Sequence, residues 1–253
     1  MSDKPPDYSR FMNLRYDDFR KMACDQTLSK YEKIGFPDTY RANYEADIFL
    51  DICSKLSPLD QENQRILDIG PGCSDLPHML IKLCAERGHE LVLIDSREML
   101  DQLPDGRFHK IAGQFPNECT EFIHKQGGTF DAIIVYSVLH YVMPGGDLIA
   151  FLDRLCYLLA PQGVLLIGDI PNVSMRKRLL ASETGVRFHR EFTGSKDSPE
   201  CTFNVLEFDQ IDDAVVLGMM LRARSAGFHA FVLPQRASLP MANRREDLLI
   251  QRP

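Results

Sequence analysis

Apolar residues along the middle of this chain alternate between two rhythms. Short, nearly continuous runs stand at 66–69, 91–94, 130–135 and 164–167, too apolar to be half-exposed, and they predict strands buried on both faces. Between them the apolar positions recur every three or four residues, as on one face of a helix. Leu76, Leu80, Leu83 and Cys84 predict a helix over 75–86, opened by Ser74 and stopped by Gly88. Leu148, Phe151, Leu152 and Leu155 predict another over 144–159. This alternation predicts an α/β fold with a doubly wound, mostly parallel sheet.

The flanking elements follow the same logic. A helix over 97–103 follows the second strand. A third strand over 108–112 ends at Gly113-Gln114-Phe115-Pro116, and Asn117 can cap the helix that runs to Lys125. The fifth strand spans 164–170. Asp209 can cap a helix over 210–226 that Gly227 ends, and 228–233 and 247–251 read as two strands joined by a polar loop. Ahead of the sheet, Pro37-Asp38 opens a helix over 39–56 with Ile48, Phe49, Ile52 and Cys53 inward. Residues 1–7 read as loose, and 8–34 is polar with scattered aromatics, suggesting short helices laid across a larger body. From 174 to 208 the apolar rhythm weakens and the text turns basic.

The chemistry concentrates at Arg65-Ile66-Leu67-Asp68-Ile69-Gly70-Pro71-Gly72-Cys73-Ser74-Asp75, a strand, glycine turn and helix start of the kind that seats a nucleotide-like cofactor. The next strand ends in Asp95, about 20 residues after the glycines, and a carboxylate there can accept from both hydroxyls of a ribose. A dinucleotide fingerprint needs a third glycine where this chain has Asp75. Asp68 before the turn would repel phosphate and attract a cation. A sulfonium nucleoside fits that loop better than a dinucleotide.

Composition narrows the class. With 253 residues and 44% hydrophobic content the chain can bury one core with an appendage. A formal net charge of -7 argues against a general nucleic-acid surface. No stretch approaches the roughly 20 apolar residues of a membrane span, and the polar first ten residues lack an apolar signal segment. Seven scattered cysteines suggest neither a disulfide framework nor a zinc or other metal site, and fit a reducing cytoplasm.

Leu67-Asp68-Ile69-Gly70-Pro71-Gly72, Leu93-Ile94-Asp95-Ser96, Phe130-Asp131-Ala132-Ile133-Ile134-Val135 and Leu158-Leu159-Ala160-Pro161-Gln162-Gly163-Val164 stand in order at suitable spacings. The set resembles the class I S-adenosylmethionine-dependent methyltransferases, from about Arg65 to Ile170. The resemblance implies a seven-stranded Rossmann-like sheet, an N-terminal helical cap or lid over 1–64, and a methyltransferase domain over 65–253 with a substrate-side insertion at 174–208. It implies S-adenosylmethionine as cofactor, held by Asp68, Gly70, Gly72, Asp95, Ser96, Met99, Gln114, Phe115, Tyr136 and Ser137. Family members often have an acid at the position of Gln114, whose amide oxygen can still accept a bond. Met99 has the alternative of plain core.

Catalytic candidates are His140, the best base by its ordinary pKa, with Tyr136 and Asp169 at neighbouring strand ends. His140 could equally be structural. Substrate candidates are Tyr31, Tyr40, Arg41 and Tyr44 in the cap, His140 and Tyr141 after the fourth strand, and Arg187 and Arg190 in the basic insertion. The tyrosines have packing as their alternative, and the arginines a solvated surface. The expected acceptor is oxygen or nitrogen of a small polar metabolite or glycoconjugate, an anionic one included. A methyltransferase of RNA or protein and a cofactor-binding partner subunit without catalysis are the competing readings. A homodimer is compatible with all of them.

Overall fold

The computed structural model describes residues 9–11, 13–145, 147–205 and 207–253. The segment expected to be loose over 1–7, and Tyr8, lie outside the described residues. Four helices precede the sheet: α1 (Tyr16–Cys24), α2 (Lys30–Lys33), α3 (Asp38–Arg41) and α4 (Glu45–Lys55). Then β1 (Arg65–Ile69), α5 (Asp75–Arg87), β2 (Glu90–Asp95), α6 (Arg97–Leu100), β3 (His109–Ala112) and α7 (Thr120–Lys125) follow in turn. The chain continues through β4 (Phe130–Tyr136), α8 (Leu139–Val142), α9 (Leu148–Leu158) and β5 (Leu159–Pro171). It ends with α10 (Val173–Leu180), α11 (Glu183–Thr193), α12 (Asp213–Ser225), β6 (His229–Pro234) and β7 (Arg245–Gln251).

The seven strands form one sheet in the order β3-β2-β1-β4-β5-β7-β6. Neighbours from β3 through β5 are parallel, and β7 runs antiparallel to both β5 and β6. Strand order reverses between β1 and β4, and that crevice is where open sheets of this kind bind ligands. Alternation along the strands sorts the core into two layers. Leu67, Ile69, Val92, Ile133 and Val135 meet Phe151 and Leu152 of α9 and Val216 and Met219 of α12. Ile66, Leu91, Leu93, Ala132 and Ile134 face the other way, onto Ile48 and Ile52 of α4 and Leu80 and Cys84 of α5. The strands are near-continuous apolar runs because both faces are covered.

Several boundaries differ from the sequence expectation, each for a local reason. The helix expected over 39–56 is two helices, because Asn43 adopts φ +70° between α3 and α4. The helix expected from 144 begins at Leu148, where the Asp147 side chain accepts from Ala150 N. Asp209 does not cap the next helix. It sits at φ +57°, and Asp212 caps α12 by accepting from Val215 N. Ser74 occupies the N-cap position of α5, but Glu45 Oε2 is the carboxylate oxygen that accepts from Leu76 N, at 2.8 Å. Asn117 does not cap α7, which starts at Thr120 without a side-chain cap. The weakly patterned insertion carries α10 and α11, capped by Asn172 and Ser182. Among the described residues no helix is long and apolar enough to cross a membrane.

Candidate active site

The glycine turn after β1 is pinned on three sides. Gly70 and Gly72 have φ +72° and +67°, a region that L side chains rarely adopt. A Cβ at Gly70 would lie 2.5 Å from Val138 Cγ2, and one at Gly72 would lie 2.5 Å from Ile34 Cγ2. The turn is thus clasped between the end of β4 and the N-terminal helices. Asp95, at the end of β2, accepts from Gly72 N at 3.0 Å and from Ser96 N at 2.6 Å. Burial pushes its carboxyl up to about 6, and those two backbone donors oppose the shift. Its remaining lone pairs suit a pair of hydroxyls.

A cavity of about 990 Å³ opens at the carboxyl ends of the parallel strands. Its floor includes Ile69, Gly70, Gly72, Ile94, Asp95 and Ser137. Met99, Gly113, Gln114, Phe115 and Pro116 form one end. Met99 is buried against Ala23 and Cys73, and Phe115 meets Phe151 edge-on at 5.5 Å. An apolar slot followed by an exposed Gln114 suits a flat heteroaromatic ring with a polar edge. The roof comes from the N-terminal segment, with Tyr16, Phe19, Ile34, Phe36, Arg41 and Glu45 all lining the cavity. Burial raises Tyr16 well above the ordinary phenol value, and nearby Asp95 and Glu118 add to the effect. Arg20 fastens α1 to α6 through Glu98, with Nη2 donating to Oε1 at 2.8 Å.

Behind the cavity wall lies a buried charge cluster at the ends of β4 and β5. Ser137 and Asp169 both have positive φ, +60° and +59°. Asp169 Oδ2 accepts from Ser137 Oγ at 2.5 Å, from Arg245 Nη1 at 2.6 Å and from Arg41 Nη2 at 3.3 Å. Burial alone would raise the Asp169 carboxyl, but the two guanidinium groups and the hydroxyl hold it below the ordinary carboxylate value. The cluster continues outward. Asp169 N donates to Asp247 Oδ1, and Lys55 Nζ donates to both Asp247 Oδ2 and Asp51 Oδ2. Gln235 Nε2 reaches Asp247 Oδ1 at 3.2 Å and the Tyr136 hydroxyl at 3.4 Å.

Of the residues singled out in the sequence, Gly70, Gly72, Asp95, Met99, Gln114, Phe115, Tyr136, Ser137, Arg41 and Tyr141 come together around the cavity. Others take different places. Asp68 lies beneath the turn beside a small void lined by Phe49, Leu80 and Tyr136, and burial with the Asp95 charge pushes it up to about 8. Both effects favour its neutral acid over a carboxylate, and it lies outside the main cavity lining. Ser96 caps α6, its hydroxyl accepting from Met99 N, and is buried. Asp169 is locked in ion pairs and is not placed to take a proton. His140 does not line the cavity. Burial, with Arg245 next, lowers its imidazole to about 3, and Nδ1 is buried without a hydrogen-bond partner among the described residues.

Tyr31 donates to Asp75 Oδ2 at 3.1 Å, Tyr44 packs on the α4–α5 core, and Tyr40 lines a minor void beside Arg41. Arg187 and Arg190 are exposed on α11, outside the cavity lining. Tyr16, Phe36 and Glu45 line the cavity without having stood out in the sequence. No local pattern marks them, since Arg41 ends α3, Glu45 begins α4, and Asn43 at φ +70° breaks the helix between.

Residues 40–195, more than half of the chain, match a protein family described as a methyltransferase domain. The fold is similar to many solved structures. One is the N-methyltransferase NodS of Bradyrhizobium japonicum WM9 in complex with S-adenosyl-L-homocysteine, at TM-score 0.55 and 14% identity, covering 94% of this chain and 98% of that one. Another is the plantazolicin methyltransferase BpumL with a triazolic desmethylPZN analog and the same nucleoside, at TM-score 0.56 and 13% identity, covering 97% and 98%. A third is the CurJ carbon methyltransferase, at TM-score 0.55 and 15% identity, covering 96% of this chain and 66% of that one. The chain spans less than two thirds of CurJ, and 60% of a Nostoc punctiforme structure that it also matches at TM-score 0.52 and 15% identity, with 93% of its own length covered. No curated protein matches it in sequence.

Proposed function

The chain belongs to the methyltransferase-domain family, and from that premise we propose that it is a class I S-adenosylmethionine-dependent methyltransferase whose acceptor is the nitrogen of a small neutral or basic molecule. The observation that carries this reading is the cavity. Its volume of about 990 Å³ stands at the upper end of the roughly 300–1,000 Å³ usual for one ligand site, leaving room for a small acceptor beside the cofactor. Around it stand Asp17, Asp147, Asp209 and Glu118, against Arg15, Arg20 and Arg41, of which Arg20 is already paired with Glu98 and Arg41 with Asp169. Phe208, 84% exposed, offers an apolar face at the same cavity. Acids outnumber arginines in that lining, which disfavours an anionic acceptor, and Arg187 and Arg190 lie outside it.

When bound, S-adenosylmethionine supplies an electrophilic methyl group on its sulfonium. The residues present fit that nucleoside. Asp95 is placed for the ribose, and Met99, Phe115 and Gln114 for the adenine. The Gly70–Gly72 turn lets backbone come close to the methionine end. Holding nucleophile, carbon and sulfur in line can supply much of the rate, and that is positioning work for a closed roof. Tyr141 lines the cavity, and burial pushes its phenol up to about 12, so it serves as a donor at neutral pH rather than as a base. With His140 outside the cavity lining and Asp169 held in ion pairs, neither of these two candidates is poised to remove a proton during attack. That favours an amine or ring nitrogen, whose lone pair attacks before its proton leaves, over an alcohol.

The test is transfer of labelled methyl from S-adenosylmethionine to pooled amines, pooled alcohols and phenols, pooled phosphorylated or carboxylated metabolites, total RNA and total protein. Label in the amine pool is expected. Label confined to the acidic pool or to macromolecules would overturn the acceptor, and binding of S-adenosylhomocysteine with no label anywhere would favour a partner subunit without catalysis. The seven cysteines are free thiols, which supports a reducing compartment such as the cytoplasm.

A further inference from the structure

Glu45 carries an unusual charge. It is 3% exposed, its Oε2 accepts from Leu76 N in the first turn of α5, and its Oε1 is sealed from solvent with no hydrogen-bond partner among the described residues. Buried carboxylate oxygens are almost always paired, so one that is not points to a donor from outside the chain. The residue lines the main cavity, as do Gly72 and Leu76 beside the glycine turn. Four positions earlier Arg41 lines the same cavity and is 4% exposed. Among the described residues only its Nη2 donates to protein acceptors, Ser137 and Asp169. Nε and Nη1 keep hydrogens for a further acceptor. Its guanidinium is held over the Phe36 ring at 4.1 Å, so its position is set before any ligand arrives.

The cavity wall therefore offers one fixed cation and one underemployed carboxylate, four residues apart at the facing ends of α3 and α4. A lone anion or a lone cation would satisfy only one of them. A carbon that bears both an ammonium and a carboxylate satisfies both. We propose that Arg41 and Glu45 clamp the amino-acid end of the cofactor. Glu45 Oε1 accepts from its ammonium, and the free edge of Arg41 donates to its carboxylate. The assignment rests on the cofactor identity above and moves Arg41 from acceptor binding to cofactor binding. It also gives the N-terminal helices half of the cofactor site, since the glycine turn and Asp95 read the nucleoside while α3 and α4 read the amino acid.

Calorimetry with two ligands tests this without turnover. S-adenosylhomocysteine carries the amino-acid end, whereas 5′-methylthioadenosine has the same nucleoside and lacks it. Glu45→Gln keeps an acceptor for Leu76 N but removes the charge. It should weaken S-adenosylhomocysteine about tenfold to a hundredfold, as expected for a charge-assisted bond, and leave methylthioadenosine within twofold. Arg41→Lys should weaken S-adenosylhomocysteine but spare its decarboxylated analogue, which keeps the ammonium. Equal losses for both nucleosides in Glu45→Gln, or no loss for either, overturn the clamp. Should the parent protein bind neither nucleoside, the cofactor reading itself fails, and the clamp with it.

Discussion

Asp169→Ala should be the most damaging single change at the ends of these strands. The substitution removes the acceptor shared by Ser137, Arg245 and Arg41 and strands two guanidinium groups that are at least nine-tenths buried. Breaking a buried ion pair from one side costs about 3–5 kcal/mol, because the remaining charge is left uncompensated. That is a large part of a typical stability of about 5–15 kcal/mol. Urea unfolding followed by far-ultraviolet circular dichroism at pH 7 measures it. Arg245→Ala deletes the same contact from the other end, so the double variant should be less destabilised than the sum by about 0.5–3 kcal/mol. The pH dependence has a definite sign. The folded carboxyl titrates below its unfolded value of about 3.9, so its stabilisation is present above that value and is lost as pH falls through the lower folded one. The parent should therefore weaken below about pH 4 more steeply than Asp169→Ala. A loss under about 1 kcal/mol, or strict additivity with Arg245→Ala, would refute the account.

Gly72→Val should lose cofactor affinity through two faults, φ +67° and the clash with Ile34, and Ile34→Ala should restore part of it; titration calorimetry that finds no such rescue would remove Ile34 from the argument. Desolvation lowers the half-buried His140 imidazole to about 3, so between about pH 3 and 6.5 the unfolded chain binds a proton that the folded chain does not, and stability rises with pH there by up to about 1.4 kcal/mol per unit. His140→Phe should flatten that slope, leaving what His89, also lowered by burial, contributes. Arg187→Ala and Arg190→Ala should leave both Michaelis constants within about twofold, as surface positions do; a tenfold rise for the acceptor would return the insertion to its pocket.

What the sequence made legible was whatever depends on neighbours along the chain. The runs at 66–69, 91–94 and 130–135 announced strands covered on both faces, and the spacing from Gly72 to Asp95 placed a carboxylate at the end of the adjacent strand. What depends on tertiary partners stayed hidden. Asp169 reads as an acid at a strand end, and nothing near it shows that Arg41 and Arg245 will arrive from 128 and 76 residues away. Glu45 reads as a helix residue, although its carboxylate does for α5 what Ser74 was expected to do. The basic letters at 176–190 suggested a binding pocket, but α11 turns Arg187 and Arg190 to solvent. Charge in a sequence gives no direction until the element that carries it is docked.

The two halves of the roof are fastened by different means. Helix α4 joins the sheet through Lys55, Asp51 and Asp247, all at most 10% exposed, and α3 through Arg41. The ion pairs of the segment before it are exposed ones, Arg20 with Glu98 and Lys30 with Asp75, beside the apolar packing of Ala23 and Ile34 on Met99 and Cys73. Ions in solution screen exposed pairs and scarcely reach buried ones. Loss of the exposed pairs would free 13–36 before α3 and α4, so departure of the spent nucleoside should begin at that segment, with α3 and α4 as the doorframe. Its rate constant should climb with ionic strength while the melting temperature hardly moves, so the pace of turnover would be set by the salt around the molecule.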